Sequence, residues 1–227
     1  MTPQPPTTPP VRTWLTVAVA TLVLVVLVRA LLVQSFSVPS GSMEPLLQPG
    51  DRVLANRLVR GDSVERGRVV VFDGATAWGD APSDGPGDRA GPLARWATSL
   101  LTLDTGTDYV KRVVGVAGDR VSCCEPGGRL AVNGVGIDEP YLHAGDRPSE
   151  LTFDVTVPPG RIWVMGDHRS DSADSRAYLG RPGGGMVPVD DVIGQVTVRY
   201  WPLDRLGSLG DGTALSSVPS TKSGAAR

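Results

Sequence analysis

Lysine is almost absent from this chain of 227 residues. Of its 22 basic residues only Lys111 and Lys222 are lysines, and arginine occupies every other basic position. A compositional bias toward arginine explains most of this pattern, yet one lysine is kept in the part of the chain that should fold. A lysine amine can lose its proton at useful pH, whereas an arginine guanidinium cannot. Lys111 is therefore a candidate for chemistry that arginine cannot perform.

The chain also lacks a strong charge, spaced cysteines and more than two histidines. The formal net charge is -2, so no basic surface argues for binding to nucleic acid. The only cysteines are the neighbours Cys123 and Cys124, which have neither the spacing of a zinc site nor that of a disulfide framework. The sequence leaves open whether the two cysteines are reduced or joined by a strained disulfide.

An apolar run near the N terminus predicts a membrane anchor. Residues 14–33 contain one charged residue, Arg29, and a run of this length matches a hydrocarbon core of roughly 30 Å. Trp14 and Phe36 stand where interfacial aromatic residues are expected. A removable secretory signal is the alternative, but no clear Ala-x-Ala cleavage site follows. We predict a transmembrane helix over 14–33, preceded by a disordered Pro- and Thr-rich segment over 1–13.

The pattern after residue 34 predicts a domain built mainly of short β-strands. Apolar stretches separated by Gly, Pro and Asp predict strands near 52–55, 68–72, 109–115, 120–121, 152–157, 161–165 and 192–200. Asn133-Gly134 indicates a tight hairpin. Residues 74–92 read as a surface insertion, and 93–103 as a short helix that packs on the domain or contacts the membrane. We place the domain at 34–206 and a disordered, Ser- and Gly-rich tail at 207–227.

Three segments carry the residues best suited to chemistry. The first, residues 39–45, presents Ser40 and Ser42 between two prolines that restrict the backbone. The second is the strand 109–115, in which alternation sends Lys111 and Arg112 to opposite sides, so that one of them faces inward. The third is the loop 166–176, dense in hydroxyl and carboxylate groups.

These segments admit more than one kind of site. Burial of Lys111 among valines and aromatic residues would lower its pKa and allow it to act as the base for a serine nucleophile. A Ser-His-Asp triad is also conceivable, with His143 or His168 as the base. The loop 166–176 lacks the spacing of an EF-hand, which disfavours calcium.

Taken in order, these segments resemble the type I signal peptidase family. The matching motifs are Pro39-Ser40-Gly41-Ser42-Met43-x-Pro45, then Tyr109-Val110-Lys111-Arg112-x-x-Gly115-x-x-Gly118-Asp119, then Gly166-Asp167-x-Arg169-x-x-Ser172-x-Asp174-Ser175-Arg176. The similarity extends over about 34–203. Each motif is weak alone, but their order and spacing together are highly specific. One departure is His168, which stands where the family most often has asparagine.

The resemblance implies roles for particular residues. Ser42 would be the nucleophile and Lys111 its general base, with the Ser40 hydroxyl and the Ser42 backbone N–H forming the oxyanion hole. Two further groups would support the dyad. Ser172 would orient the lysine amine, and Asp174 and Arg176 would form an ion pair.

The resemblance also implies a fold, a location and partners. The fold would be mainly antiparallel β, with a small β cap inserted at about 120–160. The protein would be a monomeric, single-pass enzyme of the cytoplasmic membrane, with its peptidase domain extracytoplasmic and residues 1–13 cytoplasmic. Its partners would be the lipid bilayer and the signal peptides of secreted preproteins, which it would cut after small residues. No metal or organic cofactor would be needed.

Two other functions are compatible with parts of this sequence. A self-cleaving regulator can use a Ser-Lys dyad, but it would be expected to carry a DNA-binding helix pair, and none is visible. An anchored β-domain that binds exported proteins without cutting them would need no dyad at all. Loss of cleavage on substitution of Ser42 or Lys111 separates the peptidase from such a binding protein.

Overall fold

A computed structural model describes residues 11–59, 61–79, 108–209 and 213–219 of the chain. The α-helices in this part are α1 Val11–Leu31, α2 Gly74–Trp78 and α3 Thr213–Ser216. The strands are β1 Val33–Ser37, β2 Arg52–Asn56, β3 Val69–Asp73, β4 Asp108–Gly115, β5 Arg120–Cys123, β6 Ala131–Val132, β7 Val135–Gly136, β8 Phe153–Thr156, β9 Arg161–Met165, β10 Val187–Pro188, β11 Val192–Trp201 and β12 Gly207–Ser208. Short 3-10 turns occur at Gly61–Ser63, Arg169–Asp171, Val189–Asp191 and Leu203–Arg205.

The strands form two antiparallel sheets. The larger has the order β1-β2-β11-β3-β4-β9-β10, with β12 added beside β11, and the smaller has the order β7-β6-β5-β8. The predicted class, mainly antiparallel β, is confirmed. The smaller sheet lies within the interval 120–160, where the resemblance places the cap insertion.

The larger sheet carries apolar side chains on both faces. Along β3, Val69 and Val71 belong to one buried cluster, and Val70 and Phe72 belong to another, as the two-residue period of a strand requires. The first cluster is covered by side chains from residues 38–47, the segment that contains Ser42. Burial of this cluster therefore holds the serine segment against the sheet.

The N-terminal helix differs from the prediction in its bounds and its character. It covers Val11–Leu31 rather than 14–33, because Val33 already pairs with Asn56 as the first residue of β1. Within the ranges that the structure describes, no helix combines the length and apolarity needed to cross a membrane. The predicted transmembrane helix is thus not supported. Side chains of α1 such as Trp14, Leu15 and Leu22 are exposed.

The predicted disordered tail is wrong for residues 207–209 and 213–219. Gly207 and Ser208 form β12 against β11, and Leu215 and Val218 are buried in the core cluster beneath the smaller sheet. These two apolar side chains, isolated in a polar stretch, supply the burial that orders the segment. The predicted helix at 93–103 and most of the insertion at 74–92 lie outside the described residues. The first part of that insertion forms α2, in which Trp78 is buried.

The adjacent cysteines are joined to each other. Cys123 closes β5, and its sulfur is bonded to that of Cys124. Of the two states that the sequence left open, the structure has the bridge. Cys123 is buried in the cluster beneath the smaller sheet.

Candidate active site

Ser42 lies in a turn between β1 and β2 that is held by backbone hydrogen bonds and by apolar packing. The Val38 N–H donates to the Asp51 carbonyl at 2.9 Å, and the Glu44 N–H donates to the Gly41 carbonyl at 2.9 Å. Met43, the residue after the serine, is buried in the adjacent cluster. Apolar side chains on either side of Ser42 thus fix its backbone, while its hydroxyl points toward β4.

Lys111 lies in the middle of β4, which pairs with β3 on one side and β9 on the other. Its Nζ atom is 2.6 Å from Ser42 Oγ and 3.1 Å from the Val110 carbonyl. The structure therefore brings together the two residues of the predicted dyad, which are 69 positions apart in sequence. Lys111 is only 3% exposed.

Burial is the main influence on the Lys111 amine. It lowers the pKa of Lys111 from 10.5 to about 8, although Asp174, Asp167 and Asp171 act in the opposite direction. Charging an amine in a low-dielectric interior is unfavourable, so burial lowers the pKa of Lys111. At pH 7 about one lysine in ten is then neutral, compared with about one in three thousand at the ordinary pKa.

Ser40 and a small cavity complete the immediate surroundings of the dyad. Ser40 Oγ lies 3.3 Å from Ser42 Oγ, on the exposed side of the serine. A cavity of about 360 Å³ opens beside the two catalytic candidates. Its apolar wall includes Val38, Met43, Val110 and Ala173. The hydroxyl of Ser42 thus faces a space that a peptide segment can enter.

The loop 166–176 packs directly on the serine turn. The His168 N–H donates to the Ser42 carbonyl at 3.1 Å. A side chain at Gly166 would collide with that same carbonyl and with the Ser172 hydroxyl, so only glycine fits there. The chain approaches closely enough at this point for the loop to set the position of the nucleophile.

Asp174 and Arg176 form the ion pair that the resemblance implies. Their side chains meet at 2.7 Å, and both residues are buried. Burial by itself raises the pKa of Asp174, but the hydrogen bond and charge of Arg176, with smaller contributions from the Gly166 N–H and the Ser172 hydroxyl, outweigh it and leave the pKa lowered. Arg176 also donates to the Arg169 carbonyl at 2.8 Å. This buried ion pair therefore stabilises the conformation of the loop 166–176.

The role predicted for Ser172 is not what the structure shows. The Lys111 amine has hydrogen bonds to Ser42 and to the Val110 carbonyl, and none to Ser172. Ser172 Oγ is buried and forms no hydrogen bond of regular geometry within the described part of the chain, but it approaches the Asp174 carboxylate closely enough to help lower the pKa of that group. The lysine amine is held by its own strand instead, because the Val110 carbonyl lies within its reach.

Lys111 and Arg112 are both buried, whereas the alternation argument placed only one of them inward. Arg112 is 2% exposed and pairs with the Asp167 carboxylate at 2.6 and 2.7 Å. It also donates to the Gly67 carbonyl at 2.8 Å. A buried arginine is accommodated when its donors are satisfied in this way. Sequence reasoning missed this pair, since its members are 55 positions apart.

A second buried ion pair, between Arg169 and Glu139, was also missed. Both side chains are 2% exposed, and Arg169 donates in addition to the Pro148 and Gly166 carbonyls. Glu139 comes from the smaller-sheet region, so the pair ties that region to the loop 166–176. No local sequence signal identifies Glu139, because its role depends on the tertiary contact that brings it to Arg169.

The two histidines do not form a triad with the serine. Within the described residues, the Ser42 hydroxyl has hydrogen bonds with Lys111 and Ser40 only. His143 and His168 instead stack on each other, with ring centroids 4.0 Å apart. The lysine is thus the base candidate that the geometry favours over an imidazole.

Comparison with known proteins places these features in a family. The family model described as signal peptidase, peptidase S26, matches residues 11–201. Signal peptidase I of Mycobacterium tuberculosis is 35% identical over 231 residues, covering 90% of this chain and 77% of that protein. A probable signal peptidase I-2 of Synechocystis sp. is 31% identical, covering 92% of this chain and 84% of that protein. A crystal structure of a signal peptidase I from Enterococcus faecalis is 22% identical, with a TM-score of 0.39, and covers 60% of this chain and 99% of its own.

Proposed function

Since this chain belongs to the type I signal peptidase family, peptidase S26, we propose that it is a membrane-bound serine endopeptidase that removes N-terminal signal peptides from exported preproteins. Ser42 is the nucleophile and Lys111 is the general base. Cleavage follows small residues and passes through an acyl-enzyme. One chain supplies both members of the dyad, so we propose that the protein works as a monomer.

The observation that carries this proposal is the contact between a hydroxyl and a buried amine. Ser42 Oγ and Lys111 Nζ are 2.6 Å apart, which is within the reach required of a nucleophile and its base. Burial lowers the pKa of that amine to about 8, so a useful fraction is neutral near pH 7. A serine hydroxyl is a weak nucleophile on its own and depends on such a base.

In the proposed reaction Lys111 accepts and then donates one proton in each half of the cycle. The neutral amine takes the proton of Ser42 as Oγ attacks the scissile carbonyl, and a tetrahedral oxyanion forms. The ammonium of Lys111 then gives its proton to the leaving amine as the C–N bond breaks. In the second half Lys111 takes a proton from water, the water attacks the acyl-enzyme, and Ser42 Oγ recovers the proton as it departs.

The oxyanion is stabilised by the Ser40 hydroxyl and the Ser42 backbone N–H. Ser40 Oγ is 3.3 Å from the nucleophile, Ser40 is exposed, and both serines line the cavity beside the dyad. Loss of one oxyanion donor typically lowers kcat about 10²- to 10³-fold. Ser40→Ala is therefore expected to lower kcat more than KM.

The substrate preference follows from the cavity beside the dyad. Its volume is about 360 Å³, and one part of its wall is apolar and is formed by Val38, Met43, Val110 and Ala173. The charged residues Asp108, Lys111 and Asp171 also line it. We propose that small apolar side chains before the scissile bond pack against this apolar part. A preprotein with a large residue there is expected to be cut poorly.

Attachment to the cytoplasmic membrane is assigned to the N-terminal helix, with the peptidase domain on the extracytoplasmic face. Apolar side chains of α1, including Trp14, Leu15 and Leu22, are more than 60% exposed and make the helix suited to lipid. Attachment would raise the effective concentration of enzyme near its substrates. Cell fractionation tests the attachment, and removal of residues 1–31 is expected to abolish membrane association. Protease digestion of spheroplasts tests the location, and protease added outside the cell is expected to digest the domain.

The reaction itself is tested with a purified preprotein. Ser42→Ala and Lys111→Ala are expected to abolish release of the mature protein, while Ser37→Ala, a substitution of an exposed serine in β1, serves as the matched control and keeps activity. Full activity of either dyad variant would refute the mechanism. Binding of the preprotein without cleavage by the unaltered chain would instead favour an anchored binding domain.

A further inference from the structure

The only two histidines of the chain lie side by side, next to a glutamate. His143 and His168 come from different segments, and their rings stack with centroids 4.0 Å apart and planes 22° from parallel. Glu44 completes the group: one ligand atom from each of the three residues lies within 4.8 Å of the other two. All three side chains are half-buried, so the cluster can be reached from solvent.

We propose that Glu44, His143 and His168 bind a divalent transition-metal ion of the Zn²⁺ class. Two imidazole nitrogens and one carboxylate oxygen suit Zn²⁺ and its neighbours, whereas Ca²⁺ and Mg²⁺ prefer sites made of oxygen. A water molecule would complete a four-coordinate ion. The Ser-Lys chemistry proposed above requires no metal, so this site is separate from the dyad.

The backbones of the three residues are already held in place. The His143 N–H donates to the Asp167 carbonyl at 3.0 Å, and the His168 N–H donates to the Ser42 carbonyl at 3.1 Å. The Glu44 N–H closes its own turn at 2.9 Å. Only side-chain rotation is therefore needed to assemble the site, which limits the entropy lost on binding.

The required rotation is modest. Ligand atoms about 2.0–2.1 Å from a tetrahedral ion lie about 3.3 Å apart, so the three atoms must approach one another by up to about 1.5 Å. One imidazole must also tilt out of the stack, because an ion lies near the plane of each ring that binds it. Loss of the stacked arrangement is thus part of the proposal.

One nitrogen of the cluster lacks a hydrogen-bond partner. Nδ1 of His168 is buried and has none among the residues that the structure describes. Buried polar atoms are nearly always paired, and an orphaned one calls for an explanation such as an ion. A metal bound to either ring nitrogen also fixes which nitrogen keeps the proton.

The site would link the nucleophile's turn to two other parts of the molecule. Glu44 lies two residues after Ser42, His168 belongs to the loop 166–176, and His143 belongs to the connection between β7 and β8 of the smaller sheet. An ion bound by all three would hold these segments together. Since such an ion binds the folded state preferentially, it would stabilise the fold.

Binding is tested by calorimetric titration of ZnCl₂ into the full chain, purified without a polyhistidine tag and freed of metal with a chelator. One ion per chain is expected to bind. His143→Gln and His168→Gln are each expected to weaken Kd at least about tenfold. Glu150→Gln, in which an exposed carboxylate is removed, is the matched control and is expected to bind as the unaltered chain does. Equal affinity in the histidine variants and the unaltered chain would overturn the proposal.

Thermal unfolding gives a second readout that needs no substrate and does not depend on the peptidase reaction. In chelator, His143→Gln and the unaltered chain are expected to unfold at similar temperatures, which shows that the variant folds. Addition of Zn²⁺ is expected to raise the Tm of the unaltered chain only. A shift of the same size in both would refute the site, and a larger shift with Ca²⁺ than with Zn²⁺ would refute the class of ion.

Discussion

Replacing the buried lysine with methionine is expected to stabilise the fold while it destroys activity. Lys111 is 3% exposed, and burial lowers the pKa of its amine from 10.5 to about 8. At 1.36 kcal/mol per pH unit, this shift means that holding the charged amine in the folded state costs about 3 kcal/mol. Lys111→Met keeps a long side chain and removes the charge.

The sign of the pH dependence follows from the direction of the shift. Because the folded-state pKa is lower than the unfolded one, the unfolded chain binds more protons between about pH 8 and pH 10.5, and stability rises with pH across that window. Below about pH 8 both states hold the proton, so the full cost remains. The advantage of Lys111→Met is therefore about 3 kcal/mol at pH 7 and shrinks to about 1 kcal/mol at pH 10.

The assay is urea unfolding of both proteins, followed by tryptophan fluorescence at several pH values from 7 to 10. Loss of the hydrogen bonds from Lys111 to Ser42 and to the Val110 carbonyl lowers the variant's stability equally at every pH, so the change with pH isolates the titration. Arg52→Met, which removes an exposed positive charge, controls for net charge. A difference in unfolding free energy that stays flat from pH 7 to pH 10 would refute the assignment of a lowered pKa.

Four further predictions concern activity and stability. Lys111→Arg is expected to lower kcat/KM about 10²- to 10⁴-fold, because arginine cannot act as a base near neutral pH, and in the unaltered enzyme kcat/KM should fall tenfold per pH unit below about pH 8. Asp174→Asn is expected to destabilise the fold by about 3–5 kcal/mol, since it leaves Arg176 buried without its partner. Ser172→Ala should cost about 1 kcal/mol or less, because its hydroxyl has only an irregular contact with Asp174, and it should leave the pH profile unchanged, because that hydroxyl does not bond to the Lys111 amine. Leu215→Ala should cost about 2–5 kcal/mol, as for other buried leucines.

Each of these predictions has a result that contradicts it. Preprotein cleavage by Lys111→Arg near the normal rate, or a flat profile below pH 8, would exclude a titrating lysine base. Denaturant unfolding that finds Asp174→Asn as stable as the unaltered chain would show that the ion pair is not needed. A shifted acid limb in Ser172→Ala would restore a role for that hydroxyl in orienting the amine. An unchanged midpoint in Leu215→Ala would mean that the C-terminal segment does not contribute to the core.

The main features of the fold were predictable because they depend on local patterns. Short valine-rich runs on β3 and β4 and the Asn133-Gly134 turn indicate short antiparallel strands through interactions between neighbours in the chain. The segment after residue 206 was misjudged for the opposite reason. Its polar composition indicates disorder locally, yet Leu215 and Val218 find a buried site that other parts of the chain create.

The residues suited to the chemistry can be recognised in the amino-acid sequence alone: a lone lysine in a strand, and serines held between prolines. The contact between Lys111 and Ser42, the burial of the amine and its hydrogen bond to the Val110 carbonyl became apparent only in the folded chain. The physical reason is that desolvation and hydrogen-bond distance are properties of packed space. Residues that are far apart in the chain become buried and hydrogen-bonded to each other only when the sheet and the loops pack together.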